Sequence, residues 1–471
     1  MKALAVSEVL AAVEGELLHG DRLRSDVVEG VSTDSRRTVA GDLYIPLVGN
    51  RFDGHAFLPQ AFAGGAVLAF AQRVEAGMEE LPLVLVDDTR LAMGRLAAHY
   101  RRVLGIPVIG VTGSVGKTST KEMIASILGR RFQVHKTGGN FNNDVGVPLT
   151  LFGMEESHEM AVVEMGMNHF GEISYLSRMA APDLAVVTNI GFSHVENLGS
   201  QRGILQAKME ILDGLQEGGV VVANGDDPLL SEFIRAFRNS ENPKGIRFLT
   251  YGSCQGCDCR LLSYESHGLE GQEAVAETRS GRYQLRVPYP GRHMLFNALA
   301  GILVGERMGV EKEEIVEGIH SYRSEKMRLQ VETLENGTLL IDDTYNASVD
   351  SMKSALDTLV DLSLPGQRKV AVLGSMFEMG GFSEEGHRQV GALASQRNLD
   401  LLLCIGEEAR DIAVAALEGG SLPEDAVFWY GTQEEFLQEG LGRIRSGDAV
   451  LVKASRGMAL EKTVEAVKSV R

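Results

Sequence analysis

The glycine-rich segment VTGSVGKT is the part of this sequence whose residue types and spacing best suit chemistry. An apolar run, Ile106 to Val111, precedes the segment and predicts a buried strand, and an amphipathic helix is predicted after it. The backbone N–H groups of such a turn bind phosphate, while lysine adds positive charge and threonine offers a hydroxyl to Mg²⁺. An ordinary strand-to-helix turn would leave the lysine and the threonine unexplained. We therefore predict a phosphate-binding loop made of Gly113, Ser114, Gly116, Lys117, Thr118 and Ser119.

Further candidates follow other apolar runs of the same region. Glu164 ends the run MAVVE, and His194 comes four residues after the run LAVVTNI. Ligands of open parallel sheets bind beyond the carboxyl ends of the strands, where a carboxylate suits Mg²⁺. A capping carboxylate and a structural histidine are the alternatives. The loop GGNFNND supplies three side chains that either bind substrate or form the turn, Asn140, Asn142 and Asn143.

Three polar loops follow strand-like runs in the C-terminal part of the chain, with the sequences DDTYNAS, SMFEMGG and KASRG. Loops at the carboxyl ends of parallel strands lie on one rim of the sheet. One polar loop would be unremarkable, but three on the same rim predict a second ligand site, whose substrate would meet a nucleotide on the phosphate loop if the two rims face each other. Its candidate residues are Asp343, Tyr345, Asn346, Glu378, Lys453, Ser455 and Arg456.

The chain has 471 residues, which is too long for a single hydrophobic core. The strands and helices that would position these residues predict an α/β protein of three domains. Residues 1–84 predict a small α/β domain. Residues 85–320 alternate strands and helices, which is typical of a mostly parallel sheet covered on both faces. Residues 321–471 predict a Rossmann-like domain without GxGxxG, so a dinucleotide cofactor is not expected.

The net charge of −18, spread along the chain, argues against nucleic acid as the main partner. The first residues, MKALAVSEVLAAVEGELL, carry two glutamates within the apolar pattern and predict an amphipathic helix rather than a signal peptide. No apolar run is long enough to span a bilayer. We expect a cytoplasmic monomer that binds small molecules.

The segment SCQGCDC places Cys254, Cys257 and Cys259 close together, with His267 nearby. Three thiols and an imidazole are zinc donors. However, no second CxxC is present and the segment predicts a polar hairpin. We expect free surface thiols, with a metal site as the alternative.

The motifs taken together resemble those of the Mur ligase family, along essentially the whole chain and in the family's order. They are VTGSVGKTS, GGNFNNDVGVPLTL, VVEMGMNHFGEI, NIGFSHVENLGS, AKMEIL, HMLFNALA, DDTYNASVDSM and VKASRGMALE. The resemblance implies a UDP-binding α/β domain, a central P-loop-type ATPase domain and a Rossmann-like domain for the incoming amine. DDTYNAS and SRGMALE are similar to the member that joins D-alanyl-D-alanine to UDP-N-acetylmuramoyl-tripeptide. ATP would phosphorylate the peptide carboxylate, and the dipeptide amine would attack the acyl phosphate.

The resemblance also implies roles for single residues. Lys117 and Thr118 would contact phosphates and metal, with Glu164 and His194 on Mg²⁺. Lys208 matches a lysine that the family carbamylates to support a second Mg²⁺, although the local pattern alone predicts an exposed helical lysine.

The remaining implied contacts are with nucleotide and substrates. Asn297 and Arg328 match positions near the adenine and phosphates, and Asp343 matches the ribose contact. The UDP end would bind in the first domain, at Ser32, Asp34, Ser35, Arg36, Asn50, Asp53 and His55. The other substrate groups would meet Asn140, Asn142, Asn143, Tyr345, Asn346, Ser455 and Arg456.

Three other classes are less consistent with the sequence. Folylpolyglutamate synthase belongs to the same superfamily but has no use for a UDP-binding domain. A P-loop kinase or GTPase would not need the polar rim of the third domain, and no NKxD-type guanine signal is present. A nucleotide-binding regulator without catalysis would not need the set of Glu164, His194 and Lys208.

Overall fold

The computed structural model describes residues 1–49, 52–325 and 327–470, so the predicted site residue Asn50 lies outside the described residues. The first unit contains β1 (Leu4–Ala5), α1 (Val6–Val13), β2 (Glu16–Leu18), β3 (Val27–Val28), β4 (Gly30–Ser32), β5 (Asp42–Tyr44), α2 (Leu58–Gly64), β6 (Leu68–Ala71) and β7 (Leu83–Leu85). Its five-stranded sheet has the order β2-β7-β6-β5-β4. The N-terminal helix is confirmed but short, because β1 and β2 flank it. Strand β7 crosses the predicted boundary at residue 84.

The second unit carries most of the helices. Its elements are α3 (Thr89–Leu104), β8 (Val108–Thr112), α4 (Lys117–Leu128), β9 (Val134–Lys136), α5 (Gly146–Phe152), β10 (Met160–Glu164), α6 (Glu172–Ala180), β11 (Leu184–Val187), α7 (Val195–Leu198), α8 (Gln201–Met209), α9 (Ile211–Gly214), β12 (Val220–Asn224), α10 (Pro228–Phe237), β13 (Arg247–Gly252), β14 (Cys259–Ser266), β15 (Gln272–Thr278), β16 (Gly281–Val287), α11 (Arg292–Arg307) and α12 (Lys312–His320).

The nine-stranded sheet of this unit has the order β16-β15-β14-β13-β12-β11-β8-β10-β9. It is parallel from β9 through β14 and antiparallel from β14 to β16. Val108 of β8 points into one hydrophobic core, which continues into the first unit, while Ile109 and Val111 point into another. The mostly parallel sheet covered on both faces is therefore confirmed.

The third unit contains β17 (Gln330–Thr333), β18 (Leu339–Asp343), α13 (Val349–Leu362), β19 (Lys369–Gly374), α14 (Ser383–Ser395), β20 (Leu401–Ile405), α15 (Arg410–Glu418), β21 (Val427–Tyr430), α16 (Gln433–Glu435), β22 (Ala449–Lys453) and α17 (Glu461–Lys468). Its sheet order is β17-β18-β22-β19-β20-β21, and only the edge strand β17 is antiparallel. Strands β18, β19 and β22 lie side by side, so their three following loops share one rim, as predicted.

The three clustered cysteines differ in exposure. Cys254 is exposed, Cys257 is partly buried and Cys259 is buried. The prediction of surface thiols is therefore wrong for Cys259, because β14 turns that side chain into the core below helix α11. Within the described ranges, no three His, Cys, Asp or Glu side chains are grouped as a metal ion requires. No helix there is both long and apolar enough to cross a membrane.

Candidate active site

A cleft of about 820 Å³ lies between the carboxyl ends of the central and third sheets. Every site residue predicted in these two domains lines the cleft, except Gly113 and Lys208. Gly113 lies at the base of the phosphate loop and Lys208 is buried beneath the surface. The two predicted ligand sites are thus one continuous site.

The phosphate loop turns sharply between β8 and α4. Gly113 has φ 147°, and a Cβ there would lie 1.8 Å from Thr188 Oγ1, so only glycine fits. Asn189 holds the turn by accepting the amides of Ser114 and Val115 on its carbonyl and side-chain oxygens. The next amides, from residues 116 to 119, have no intramolecular acceptor in the described part of the chain, as at any helix start. These amides can therefore bind phosphate oxygens.

Lys117 is half-buried in the turn. Its Nζ folds back and donates to the carbonyl oxygen of Gly113 at 2.9 Å. Burial lowers the pKa of Lys117, and it lowers that of the fully buried Lys208 strongly, helped by repulsion between the two amines. None of the hydrogen bonds or ion pairs among the described residues involves the Lys208 amine. A half-buried lysine and a fully buried one, both with lowered pKa values, fit a site that receives phosphates or another anion.

Glu164 is 2% exposed at the end of β10 and faces the phosphate loop. Its two carboxylate oxygens accept hydrogen bonds from Thr118 Oγ1 at 2.9 Å and Asn142 Nδ2 at 2.8 Å. A hydroxyl and a carboxylate held together beside a phosphate loop are hard oxygen donors of the kind Mg²⁺ prefers. The side chain of Asn143 instead accepts the amide of Gly146 and supports α5, so turn chemistry explains this one of the three asparagines.

The end of the cleft beside α11 is lined by Asn297 and Arg328. Thr120 donates to the Asn297 side-chain oxygen at 3.0 Å and fixes the amide. The Arg328 guanidinium carbon lies 4.0 Å from the centre of the Tyr345 ring. Its buried Nε has no partner among the described residues. An unpaired guanidinium donor in a cleft fits an anionic ligand.

The residues on either side of Arg328, Met327 and Leu329, both have left-handed backbone conformations, with φ 61° and 47°. Each left-handed residue other than glycine costs roughly 1–2 kcal/mol. The link between the second and third units is therefore strained at the point where it presents the arginine.

The third-domain rim is organised around a buried ion pair. Lys453, 2% exposed, lies 2.5 Å from Asp343 Oδ2 and also donates to the carbonyl of Asn346. Ser455 is buried, and its hydroxyl accepts the amide of Phe377. The side chain of Ser455 thus joins two rim loops to each other.

Arg456 projects from the rim with its side chain 57% exposed and paired with Glu461. No regular helix begins directly after Arg456. Residues 456 to 458 form only a 3₁₀ turn, and α17 begins at Glu461 because Ala459 has φ 51° and interrupts the helix.

His194 and Glu378 face each other across the cleft, from the second and third units respectively. His194 Nδ1 lies 2.8 Å from Glu378 Oε2, although the angle at the ring is too bent for a well-formed hydrogen bond. Contact with the imidazole lowers the pKa of the Glu378 carboxyl. Both residues have φ 63°, so the backbone is strained at His194 and at Glu378 alike.

The first-domain candidates lie apart from the cleft. Asp34 forms a two-point ion pair with Arg36, which lowers the pKa of Asp34 to about 2. Asp53 binds Arg73, and its Oδ1 lies 2.6 Å from Nδ1 of the fully buried His55.

The amide of Gln72 donates to His55 Nε2, so both ring nitrogens are occupied and His55 supports its loop from inside. Ser32 is also buried and donates to the Asp34 carbonyl, whereas Ser35 is hydrogen-bonded to Gln60.

Sequence reasoning missed Asn189 and Asp350. Asn189 lies two residues after β11, so its position just beyond the carboxyl end of a strand is a signal that could have found it. Asp350 lies in the first turn of α13 and accepts the amide of Phe192 at 3.3 Å, which ties the third unit to the loop before His194. No local pattern indicates that contact, since the two residues are far apart in the chain.

In this chain a phosphate loop faces the polar rim of a second, Rossmann-like domain, so that a nucleotide and a second substrate can meet in one cleft, as an ATP-dependent ligase requires. Sequence patterns described as "Mur ligase family, catalytic domain", "Mur ligase middle domain" and "Mur ligase, glutamate ligase domain" match residues 27–101, 111–305 and 327–456. The chain belongs to the Mur ligase family.

Individual relatives cover nearly all of the chain. The UDP-N-acetylmuramoyl-tripeptide–D-alanyl-D-alanine ligase of Bacillus subtilis (strain 168) is 40% identical over 462 residues, which are 98% of this chain and 97% of the relative. The structure of MurF from Acinetobacter baumannii superposes with a TM-score of 0.89, at 32% identity and 99% coverage of both chains. MurF ligase from Thermotoga maritima in complex with ADP superposes with a TM-score of 0.81, at 28% identity, covering 93% of this chain and 97% of that one.

Proposed function

We propose that this chain joins D-alanyl-D-alanine to UDP-N-acetylmuramoyl-tripeptide, with ATP and Mg²⁺, in the synthesis of peptidoglycan precursors. The observation that carries the proposal is the cleft in which the phosphate loop faces the polar rim of the third unit. Near-full-length similarity to ligases with this activity supports it. We further propose that the enzyme acts as a cytoplasmic monomer, with domains at residues 1–84, 85–320 and 321–471.

The reaction activates a poor electrophile. A peptide carboxylate resists attack by an amine, and its phosphorylation supplies a leaving group, so that the amine displaces phosphate. Lys117 and the free amides of α4 would hold the phosphates and oppose the charge that builds on the transferring group. When bound, Mg²⁺ neutralises phosphate charge and polarises the transferring phosphoryl group.

The cation would be held by Thr118, Glu164 and His194, whose donor types fit Mg²⁺ beside phosphate. Lys208 would contribute as a carbamate. Its neutral Nζ would add to CO₂ and lose a proton, which converts a buried neutral amine into a carbamate anion. Burial among apolar neighbours favours the neutral amine that this addition needs.

The substrates would enter from opposite sides. The UDP end would be bound by the first unit near Ser32, Asp34, Ser35, Arg36 and Asp53. The dipeptide would be bound by the third-unit rim, where Arg456 could pair with its carboxylate.

Mass detection of the ligated product tests the proposal. Purified full-length protein is incubated with ATP, Mg²⁺, UDP-N-acetylmuramoyl-tripeptide and D-alanyl-D-alanine, and phosphate release is followed in parallel. We expect product and phosphate only when both substrates are present. Lys117→Ala should lower the rate about a hundredfold to a thousandfold while the protein stays folded. Phosphate release without the amine, or normal turnover by the variant, would contradict the proposal.

A further inference from the structure

The contact between His194 and Glu378 is the point where the third unit reaches the cation side of the cleft. Their side chains approach to 2.8 Å, yet the residues belong to different sheets and are far apart in the chain. The His194 side chain is 19% exposed, and that of Glu378 is 58% exposed. The imidazole is therefore largely enclosed, while the carboxylate comes to it from the open side.

Neighbouring contacts hold the same two segments together. The Asp350 carboxylate accepts the amide of Phe192, two residues before the histidine. A Cβ at Gly380, two residues after Glu378, would lie 2.6 Å from the side chain of Glu196. The third unit thus contacts the chain both before and after His194. These contacts stabilise the left-handed backbone of His194 and of Glu378.

We propose that Glu378 is a positioning residue that orients the His194 ring for a divalent cation, and that only the docked third unit supplies it. The inference rests on the proposed function, in which His194 is a cation ligand. An imidazole that binds a cation through one nitrogen usually donates its other N–H to a carboxylate, which fixes the ring and its tautomer. Nδ1 is the ring nitrogen that lies 2.8 Å from Glu378, and a small turn of the ring would align its N–H with the carboxylate, which leaves Nε2 for the cation.

Docking of the third unit and cation binding are then coupled. A cation that needs the oriented ring binds more tightly to the docked arrangement, and by reciprocity it stabilises that arrangement. The cation site would therefore be completed only when the rim that carries the second substrate is in place.

The test measures binding of Mn²⁺, a paramagnetic divalent probe, to the full chain with ADP by the electron paramagnetic resonance signal of free Mn²⁺. Glu378→Gln keeps the side-chain size but removes the charge, and should weaken Mn²⁺ affinity about tenfold. Glu384→Gln removes the same charge from an exposed residue at the start of α14 and should leave the affinity unchanged. Circular dichroism confirms folding of each variant.

A double-mutant comparison separates positioning from direct ligation. In a His194→Ala background, adding Glu378→Gln should cause no further loss of Mn²⁺ affinity. A full additional loss would make Glu378 a ligand in its own right and overturn the proposal, as would an unchanged affinity in the Glu378→Gln single variant. The binding assay requires no ligated product, so a wild-type protein that binds Mn²⁺ but fails to ligate would reject the proposed function separately.

Discussion

Lys208 illustrates how much a single side chain can reveal about a site. It is 1% exposed on α8 and shares the buried face of that helix with Ile204 and Ala207. Burying a charged amine without a partner destabilises a protein, so the presence of Lys208 here indicates a modified or ligand-bound side chain. The expectation of an exposed lysine from the local pattern is therefore wrong, and the i, i+3, i+4 spacing of these three residues was a missed signal that Lys208 faces inward.

Lys208→Ala tests that state. We expect at least about a hundredfold loss of ligation, because the support for the cation is removed. Formate or acetate should restore part of the activity by supplying a carboxylate to the space left by the side chain. Lys462→Ala, on an exposed face of α17, is the control and should keep full activity. A high-resolution structure with nucleotide and metal that shows an unmodified amine would refute carbamylation.

The turn between β8 and α4 shows how an element can depend on one backbone conformation. Gly113 must adopt a φ that other residues avoid, in contact with Thr188 on the neighbouring strand. The strands, helices and rim loops around the site were predictable, because each of them has its own apolar run or glycine-rich turn in the local sequence. The break between the 3₁₀ turn and α17 was not, since alanine is an unusual residue for the left-handed conformation at Ala459.

Gly113→Ala should disturb both stability and nucleotide binding. The new methyl group would overlap Thr188, and we expect about 1–3 kcal/mol loss in the free energy of unfolding. Urea denaturation measures this loss, and calorimetry with ADP and Mg²⁺ should show weaker binding. Gly442→Ala is a matched control, because nothing lies within 4 Å of its added Cβ and its φ is ordinary. Equal stability of the two variants would show that the turn tolerates a side chain.

At the scale of the whole molecule, catalysis depends on two units that meet across a cleft. The contacts that join them, such as those of Asp350 and Glu378, link residues far apart in the chain. No local sequence pattern specifies such pairs, which is why motifs placed the rim loops correctly but could not show which side chains hold the units together. The resemblance to a family predicted the order of the domains, whereas the contacts between the second and third units are seen only in the structure.

Selection of the incoming amine should follow from this arrangement. If the rim holds the dipeptide carboxylate, a single D-alanine would place its amine roughly 3.5 Å short of the reacting carbon. We expect a strong preference for D-alanyl-D-alanine in kcat/KM, and a raised dipeptide KM in Arg456→Ala with little change for ATP. Arg388→Ala removes another exposed arginine paired with glutamate, outside the cleft, and should change neither constant. Similar kcat/KM values for the two amines would disprove this assignment of the rim.

The position of β22 has a consequence for the synthesis of the protein. This strand comes last in the chain but lies between β18 and β19, in the middle of the third sheet. The third unit cannot close its sheet while the ribosome is still making residues 449–453, although the earlier units can fold as they emerge. The same late segment delivers Lys453, Ser455 and Arg456 to the rim. A chain terminated before residue 449 therefore lacks the middle of this sheet together with part of the site, so β22 must be synthesised before any ligase activity can exist.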